Sequence, residues 1–309
     1  MPRDTDSKEH CMLCGVYGRS RFLFYGKDRL HKVDETLFPF YRCLCCGLVS
    51  LSPQPSQEEL KRYYPKEYGP YRDRSQVIRY GALPLALKRL CRFSAKKPHE
   101  PVTDSRDGRL LDFGCGSGAY LEQMKLLHPH WELHGFDTSE FACEQTHAKG
   151  FHVHTGDLKT DSFPEKYFDI IHLGHVIEHL PDPKATLSLL RPWLKRDSML
   201  VLSTPNVSSL AARLFRKYWF ALDAPRHLFL FSPETITQLL ADTDFAVTSI
   251  TCTKDMGVEV RSVNYLFNRS DMRIPFVLWH AARALLAPMG IVLAFFKKTS
   301  IMSVRARKT

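Results

Sequence analysis

The chain has 309 residues, of which 44% are hydrophobic, enough for one full core plus a small second module. Its formal net charge of +10 favours an acidic partner, such as an anionic lipid surface, a nucleotide-linked sugar, a polyprenyl phosphate or a nucleic acid. Nine cysteines, an odd number without pairing logic, and a polar, charged stretch over residues 1–10 argue against a secreted disulfide scaffold. The expected location is therefore cytoplasmic, with peripheral contact at a membrane as the open alternative.

In chain order, the first feature is a pair of C-x-x-C-G knuckles, Cys11-Met12-Leu13-Cys14-Gly15 and Cys43-Leu44-Cys45-Cys46-Gly47. Each knuckle aims two thiolates at one point, and the glycine after it permits the tight turn. Four such sulfurs, Cys11, Cys14, Cys43 and Cys46, suit a closed tetrahedral structural Zn2+ site, leaving Cys45 as a bystander. A redox pair is the alternative. Residues 1–52 thus read as a zinc-ribbon-like module, with Arg21–Tyr25 as one strand. Ser52-Pro53-Gln54-Pro55 marks its boundary. Residues 53–107 read as a helical connector holding Tyr63, Tyr64, Tyr68 and Tyr71, a basic amphipathic helix near Val77–Phe93 and an exposed linker from Lys96 to Arg106. The tyrosines would either roof a ligand site or pack between modules.

The domain that follows, residues 108–309, opens on Leu110-Leu111-Asp112-Phe113-Gly114-Cys115-Gly116-Ser117-Gly118-Ala119. A buried strand, a glycine turn and a helix start in that order form a cradle for a nucleotide-like cofactor. The glycines also satisfy the loose dinucleotide pattern, so they do not choose the cofactor. Asp112 chooses better: a carboxylate there repels a pyrophosphate and accepts a cationic, amine-bearing group. S-adenosyl-L-methionine, with a sulfonium and an ammonium and no phosphate, fits; a dinucleotide or a structural turn is the alternative.

Three more strands come next. Trp131–Asp137 ends in an acid nineteen residues after Gly118, placed to take both ribose hydroxyls. Phe151–His154 leads to Asp157, which can accept from an adenine amino group. Phe168–Leu173 is closed by Gly174-His175-Val176-Ile177-Glu178-His179-Leu180-Pro181-Asp182-Pro183.

On these four motifs, over about residues 105–250, the chain resembles the class I S-adenosylmethionine-dependent methyltransferases, in the broad group that includes the ubiquinone-biosynthesis O-methyltransferases. The resemblance implies an α/β fold, a Rossmann-like seven-stranded sheet carrying the small zinc-binding module. It implies Asp112, Gly114, Cys115, Gly116 and Gly118 around the methionine part of the donor. Asp137, with Thr138 beside it, would hold the ribose, and Asp157 and Leu158 the adenine. The segment from Gly174 and His175 to His179 would close over the sulfonium. Quinone-modifying relatives carry Glu-x-x-Glu-His there, linked to a divalent metal. Here His175 stands first, so a catalytic metal is not expected. Glu178 and His179 are candidates either for catalysis or for fixing the loop before Pro181.

Ser198–Asn206 reads as strand five. The insertion near 207–231 that follows is basic and aromatic, with Trp219, Phe220, Asp223, Pro225, Arg226 and His227, and insertions of this kind build acceptor sites. His227 is the leading general base, and Arg226 a partner for an acceptor carboxylate or phosphate; a structural corner is the competing reading. Phe245–Thr251 and Ser300–Arg307 read as strands six and seven. Between them, 274–296 is nearly long and apolar enough to span a membrane, but His280, Arg283, Pro288 and Gly290 interrupt it. A span would also separate two strands of one sheet. The second insertion, near 255–298, therefore reads as a helical hairpin or lid, with core packing and interfacial membrane contact both open.

The expected activity is in-line methyl transfer, best read as O-methylation of a small molecule, a sugar or a glycolipid or lipid-linked acceptor, with an acidic acceptor fitting the charge. Nucleic-acid methylation, or a non-catalytic donor-binding scaffold that uses the zinc module for protein interaction, are the competing readings.

Overall fold

A computed structural model of the chain describes residues 9–65, 68–71, 107–156, 159, 162–267 and 276–309. The helix expected near Val77–Phe93, the Lys96–Arg106 linker, and the adenine candidates Asp157 and Leu158 lie outside the described residues.

The N-terminal part forms strands β1 (Ser20–Gly26), β2 (Phe38–Cys43) and β3 (Val49–Leu51), paired antiparallel in that order. Alternation makes β2 and β3 one-sided: Phe38, Phe40, Val49 and Leu51 turn inward while Tyr41 and Ser50 between them stay partly exposed. Helix α1 (Gln57–Lys61) starts at a capping box in which the Glu59 amide donates to Ser56 Oγ and the Ser56 amide donates to Glu59. The described part of the connector adds a single 3-10 turn, Gly69–Tyr71.

The main sheet holds β4 (Arg109–Phe113), β5 (Glu132–Asp137), β6 (His152–Thr155), β7 (Phe168–Gly174), β8 (Leu194–Pro205), β10 (Phe245–Cys252) and β11 (Ile301–Lys308). Their spatial order is β10-β11-β8-β7-β4-β5-β6, and β11 alone among them runs antiparallel to its neighbours. This is the expected seven-stranded class I arrangement. The sheet is covered on both faces, and alternate residues of one strand enter different cores. Leu110, Ile170, Met199 and Val201 pack with Leu121, Met124 and Trp131, whereas Leu111, Ile171, Leu200 and Leu202 pack with Leu187, Trp193 and Ile236. Reversal of the strand order beside β4 opens a crevice at the strands' carboxyl ends, where ligands bind in such sheets.

The flanking helices are α2 (Ala119–Leu127), α3 (Glu140–Ala148), α4 (Pro183–Leu190), α5 (Leu210–Phe215), α6 (Pro233–Ala241), α7 (Gly257–Leu266) and α8 (Phe276–Phe295). Serine or aspartate caps set several starts: Ser139, Asp182, Ser209 and Ser232 each accept an amide from the first turn.

The N-terminal module is not a bead on a string. The short strand β9 (Phe229–Leu230), contributed by the first insertion, pairs with β3 and completes a second, four-stranded sheet. Leu13, Leu48 and Leu60 share a core with Ile177, Leu228 and Phe231, and Phe40 and Leu51 share one with Trp219 and Leu222. The second insertion is a helical pair, α7 and α8. Helix α8 is long and apolar enough to cross a membrane by length and composition, yet only 6% of its Leu278–Phe295 window is buried, so core packing does not describe it.

Candidate functional site

The glycine turn joins β4 to α2 with Gly114, Gly116 and Gly118 all at positive φ, at 81°, 53° and 78°. None of the three tolerates a side chain. A Cβ at Gly114 runs into Val176, one at Gly116 would sit 2.6 Å from the Pro70 carbonyl oxygen, and one at Gly118 would sit 2.9 Å from Thr146. The Gly114 and Cys115 amides donate to the Phe136 carbonyl, which ties the turn to β5. Asp137, at the end of β5, accepts the Gly116 amide on one carboxylate oxygen and the Ser139 amide on the other, both at 2.9 Å. Burial raises its carboxyl pKa, against the opposing pull of those amides. It fixes the turn through both carboxylate oxygens. Thr138 beside it is exposed. Gly118 brings no capping side chain to α2, so that helix start has no side-chain acceptor of its own.

Asp112 has a partner that sequence reasoning missed. Its carboxylate lies 2.8 Å from His172 Nδ1 on the neighbouring strand β7, and Tyr120 stacks on that imidazole at 3.8 Å. The contact follows from register, since Asp112 and His172 are paired residues of β4 and β7. Cys115 is buried with its thiol pKa pushed up by burial first and by the Asp112 and Asp137 charges next, so it packs rather than reacts.

The connector closes over this turn. The Ser117 amide donates to the Pro70 carbonyl at 3.0 Å, and Gln145 Nε2 donates to the Tyr71 carbonyl. Tyr64, Tyr68 and Tyr71 stack edge to face, with centroids 5.1 and 5.2 Å apart. Of the two sequence readings, packing is what these contacts describe.

Beside the turn, the loop after β7 gathers a polar cluster. Val176 touches Gly114, and two residues on, Glu178 is completely buried. His175, at φ 60°, places Nδ1 3.1 Å from Glu178 Oε1, while Glu178 Oε2 has no protein partner. Burial alone would raise the Glu178 pKa, but the His175 hydrogen bond and the charges of His175, His227 and His179 hold it at about 2. His179 Nδ1 meets the Tyr64 hydroxyl at 2.9 Å, and burial, then the His227 charge, lowers its pKa to about 4. That ring is neutral at physiological pH. His227 enters from the insertion, its ring 4.6 Å from that of His179. Its Nδ1 lies 2.9 Å from the Ala221 carbonyl, which can only accept, so Nδ1 carries the proton and Nε2 the free lone pair in the neutral ring. Nε2 is 3.9 Å from Glu178 and 4.0 Å from Asp223.

Ligand atoms of Glu178, His179 and His227 all lie within 4.8 Å of one another. One carboxylate oxygen and two imidazole nitrogens suit a divalent transition ion. The His175 replacement had removed that expectation from the sequence; the fold supplies His227 from a distant insertion.

Arg226 requires a correction. It is fully buried and spoken for: its guanidinium donates to Asp223, to Asp28 at 2.8 Å and to the Tyr63 carbonyl at 3.0 Å. It therefore offers nothing to an acceptor and instead joins the N-terminal module, the connector and the insertion. Burial opposes its charge, yet Asp223 and then Asp28 push its pKa up, and Asp223 in turn is held at about 2.

At the N-terminus, Cys11, Cys14, Cys43 and Cys46 place their sulfurs within 4.8 Å of one another, with Cys11–Cys46 at 3.5 Å and Cys14–Cys43 at 3.6 Å. A tetrahedral ion with Zn–S bonds of about 2.3 Å has an S–S edge of about 3.8 Å. The donor set fits. Gly15 and Gly47 close both knuckles at positive φ, donating to the Cys11 and Cys43 carbonyls. Cys45 is exposed and outside the cluster.

A family model described as a methyltransferase domain matches residues 82–250, more than half of the chain. A ubiquinone biosynthesis O-methyltransferase of Aromatoleum aromaticum is 30% identical over 121 residues, covering 37% of this chain and 48% of that one. A malonyl-acyl-carrier-protein O-methyltransferase of Paenibacillus sp. is 26% identical over 216 residues, covering 65% and 75%. The chain spans about half the length of the ubiquinone-type relatives it matches. Among solved structures, a SAM-dependent methyltransferase from Archaeoglobus fulgidus is 24% identical with a TM-score of 0.45, covering 72% of this chain and 93% of that one.

Proposed function

The chain belongs to the methyltransferase-domain family, and from that premise we propose that it transfers the methyl group of S-adenosyl-L-methionine to a hydroxyl of a small or lipid- or sugar-linked acceptor. The observation that carries this reading is the adjacency of two things. The glycine turn admits no side chain at its three glycines, and the largely buried Glu178–His179–His227 cluster begins two residues beyond Val176, which touches that turn.

In-line displacement asks the protein to hold the acceptor oxygen opposite the departing sulfur and to remove its proton. The glycine turn with Asp112, Asp137, Gly174 and His175 would hold the donor. His227 Nε2 is the base: Nδ1 is anchored on the Ala221 carbonyl, and anionic Glu178 and Asp223 about 4 Å away stabilise the imidazolium that forms. His179, neutral and held by Tyr64, orients beside it. The two relatives described above are both named as O-methyltransferases, which supports oxygen as the acceptor atom. The four N-terminal cysteines would hold a structural Zn2+ that leaves no open position for a substrate.

Label transfer from methyl-labelled donor into fractionated cell extract identifies the acceptor class. In the same assay His227→Ala should lower turnover by about 10²–10⁴-fold while donor binding is kept. Unchanged turnover would remove His227 from the mechanism, and label entering RNA with steep salt dependence would favour the nucleic-acid reading. No product from any fraction despite bound donor would favour the scaffold.

A second reading rests on the orphaned Glu178 Oε2. A divalent ion held by Glu178, His179 and His227 would lower the pKa of an acceptor hydroxyl directly. Loss of activity in chelator, restored by added Mg2+, Mn2+ or Zn2+ with the cysteine site still loaded, would replace the His227 mechanism with this one.

A further inference from the structure

Helix α8 has one packed stripe and one apolar stripe that is bare. The packed stripe is Trp279, Arg283, Leu286, Gly290 and Leu293, spaced at helical intervals. Trp279 sits against Gly257, Arg283 pairs with Asp255 at 2.7 Å, and Gly290 lies against the Lys254 carbonyl and Met256. The other stripe, Leu278, Ala281, Leu285, Pro288, Val292 and Phe295, is exposed and contains no charged residue. Leu285 and Phe295 are each 81% exposed. Val263, Leu266 and Phe267 at the end of α7 are exposed as well. An apolar face of this extent on a charged protein marks an interaction surface.

We propose that this face is a membrane-surface anchor, laid in the plane of an anionic bilayer. Three observations choose the occupant. The first is geometry. The helix is about 30 Å long, as a span would be, but its middle is fastened by the Arg283–Asp255 pair to the segment that leads directly out of β10. A crossing would drag that ion pair and the sheet edge into hydrocarbon, so the helix lies on the bilayer rather than through it.

The second is charge. Phe295 and Phe296 are followed at once by the exposed Lys297 and Lys298, an aromatic anchor with cations at headgroup level. A second copy of this chain is disfavoured as the occupant, because a two-fold contact would bring like-charged lysines and two net charges of +10 together.

The third is continuity. Leu266 also walls a groove of about 800 Å³ on the N-terminal sheet, with Phe22, Tyr25 and Leu37 among its apolar lining and three cations, Lys27, Arg29 and Lys217, against one acid, Glu35. Leu266 belongs to both surfaces, so the exposed apolar end of α7 runs into this groove, whose cations outnumber its one acid. A surface built this way suits a partner that is flat, apolar inside and anionic at its rim.

Sedimentation with vesicles reads this without any methyl transfer, so it stands or falls apart from the enzymatic reading. The full chain should pellet with phosphatidylcholine–phosphatidylglycerol vesicles and much less with phosphatidylcholine alone. Lys297→Gln and Lys298→Gln should each lower partitioning about fivefold, with a shallower salt dependence. Leu285→Glu combined with Phe295→Glu should abolish it, with an unchanged circular dichroism spectrum and thermal midpoint, because both positions face solvent in the free protein. Protein that stays in the supernatant, or a double glutamate variant that pellets like the parent, overturns the proposal. So does a concentration-dependent dimer that the double variant dissolves, since a second copy would then cover the face.

Discussion

At the scale of single residues, Gly116 and Asp112 show two different demands of one turn. Gly116 has φ 53° and the Pro70 carbonyl against its missing side chain, so Gly116→Val costs both backbone strain and the connector's closure. Asp112 is buried beside His172, and Asp112→Ala removes the carboxylate and leaves that imidazole without its acceptor. Each substitution should weaken donor binding more than tenfold by titration calorimetry. If both bind donor as the parent does, the turn is not the donor site. The glycines and Asp112 were readable from spacing, because a tight turn's residue requirements are local. The Asp112–His172 and Tyr64–His179 contacts were not, being sixty and 115 residues apart in sequence. Arg226 was misread for the same reason: an arginine in a basic insertion looks free until Asp28 is brought to it.

At the scale of elements, the decisive piece is the short stretch around β9. Leu228 donates its amide to the Glu178 carbonyl and accepts from the Leu51 amide, so one residue ties the Glu178 loop to β3. His227 precedes it and Phe229–Leu230 pair with the N-terminal sheet. Arg226 adds the buried ion pair with Asp28, a residue that also accepts the amides of Leu30, His31 and Val33. Asp28→Ala would strand half of a buried charge and release that loop. Destabilisation of about 3 kcal/mol is expected in urea unfolding, as for other buried pairs that lose one partner. A loss below about 1 kcal/mol would mean that Asp223 alone suffices for Arg226.

At the scale of the molecule, these joints tie the N-terminal module to the segment that carries His227 and to the Glu178 loop. Where the four cysteines hold the proposed Zn2+, stripping it should loosen β3, then β9, then the position of His227. The expected outcome is a fall in turnover larger than any fall in donor affinity, reversed by added Zn2+; unaffected turnover in fully stripped protein would disconnect the module. Acid acts on the whole chain as well. Burial lowers the pKa of His134, His154 and His179, the last from 6.5 to about 4. An imidazole with a depressed folded pKa refuses the proton that the unfolded chain takes up. Its contribution is intact above about pH 6.5 and is lost as pH falls toward 4. The thermal midpoint should thus drop steadily between those values, and a flat profile would contradict the burial of these rings.

Local pattern determined the sheet strands, the glycine turn, the two cysteine knuckles and the apolar run at 274–296, because periodicity, turn chemistry and knuckle spacing are short-range signals. The seven-stranded sheet was what the family resemblance carried by those motifs implied, and its strand order came from the fold. What only tertiary structure decided is how separate stretches meet: β9 completing the N-terminal sheet, His227 joining Glu178 and His179, Arg226 closing on Asp28, and α8 keeping one apolar face bare. Each of these depends on side chains far apart in sequence sharing one buried or exposed surface, and no local pattern encodes which surfaces the folded chain brings together.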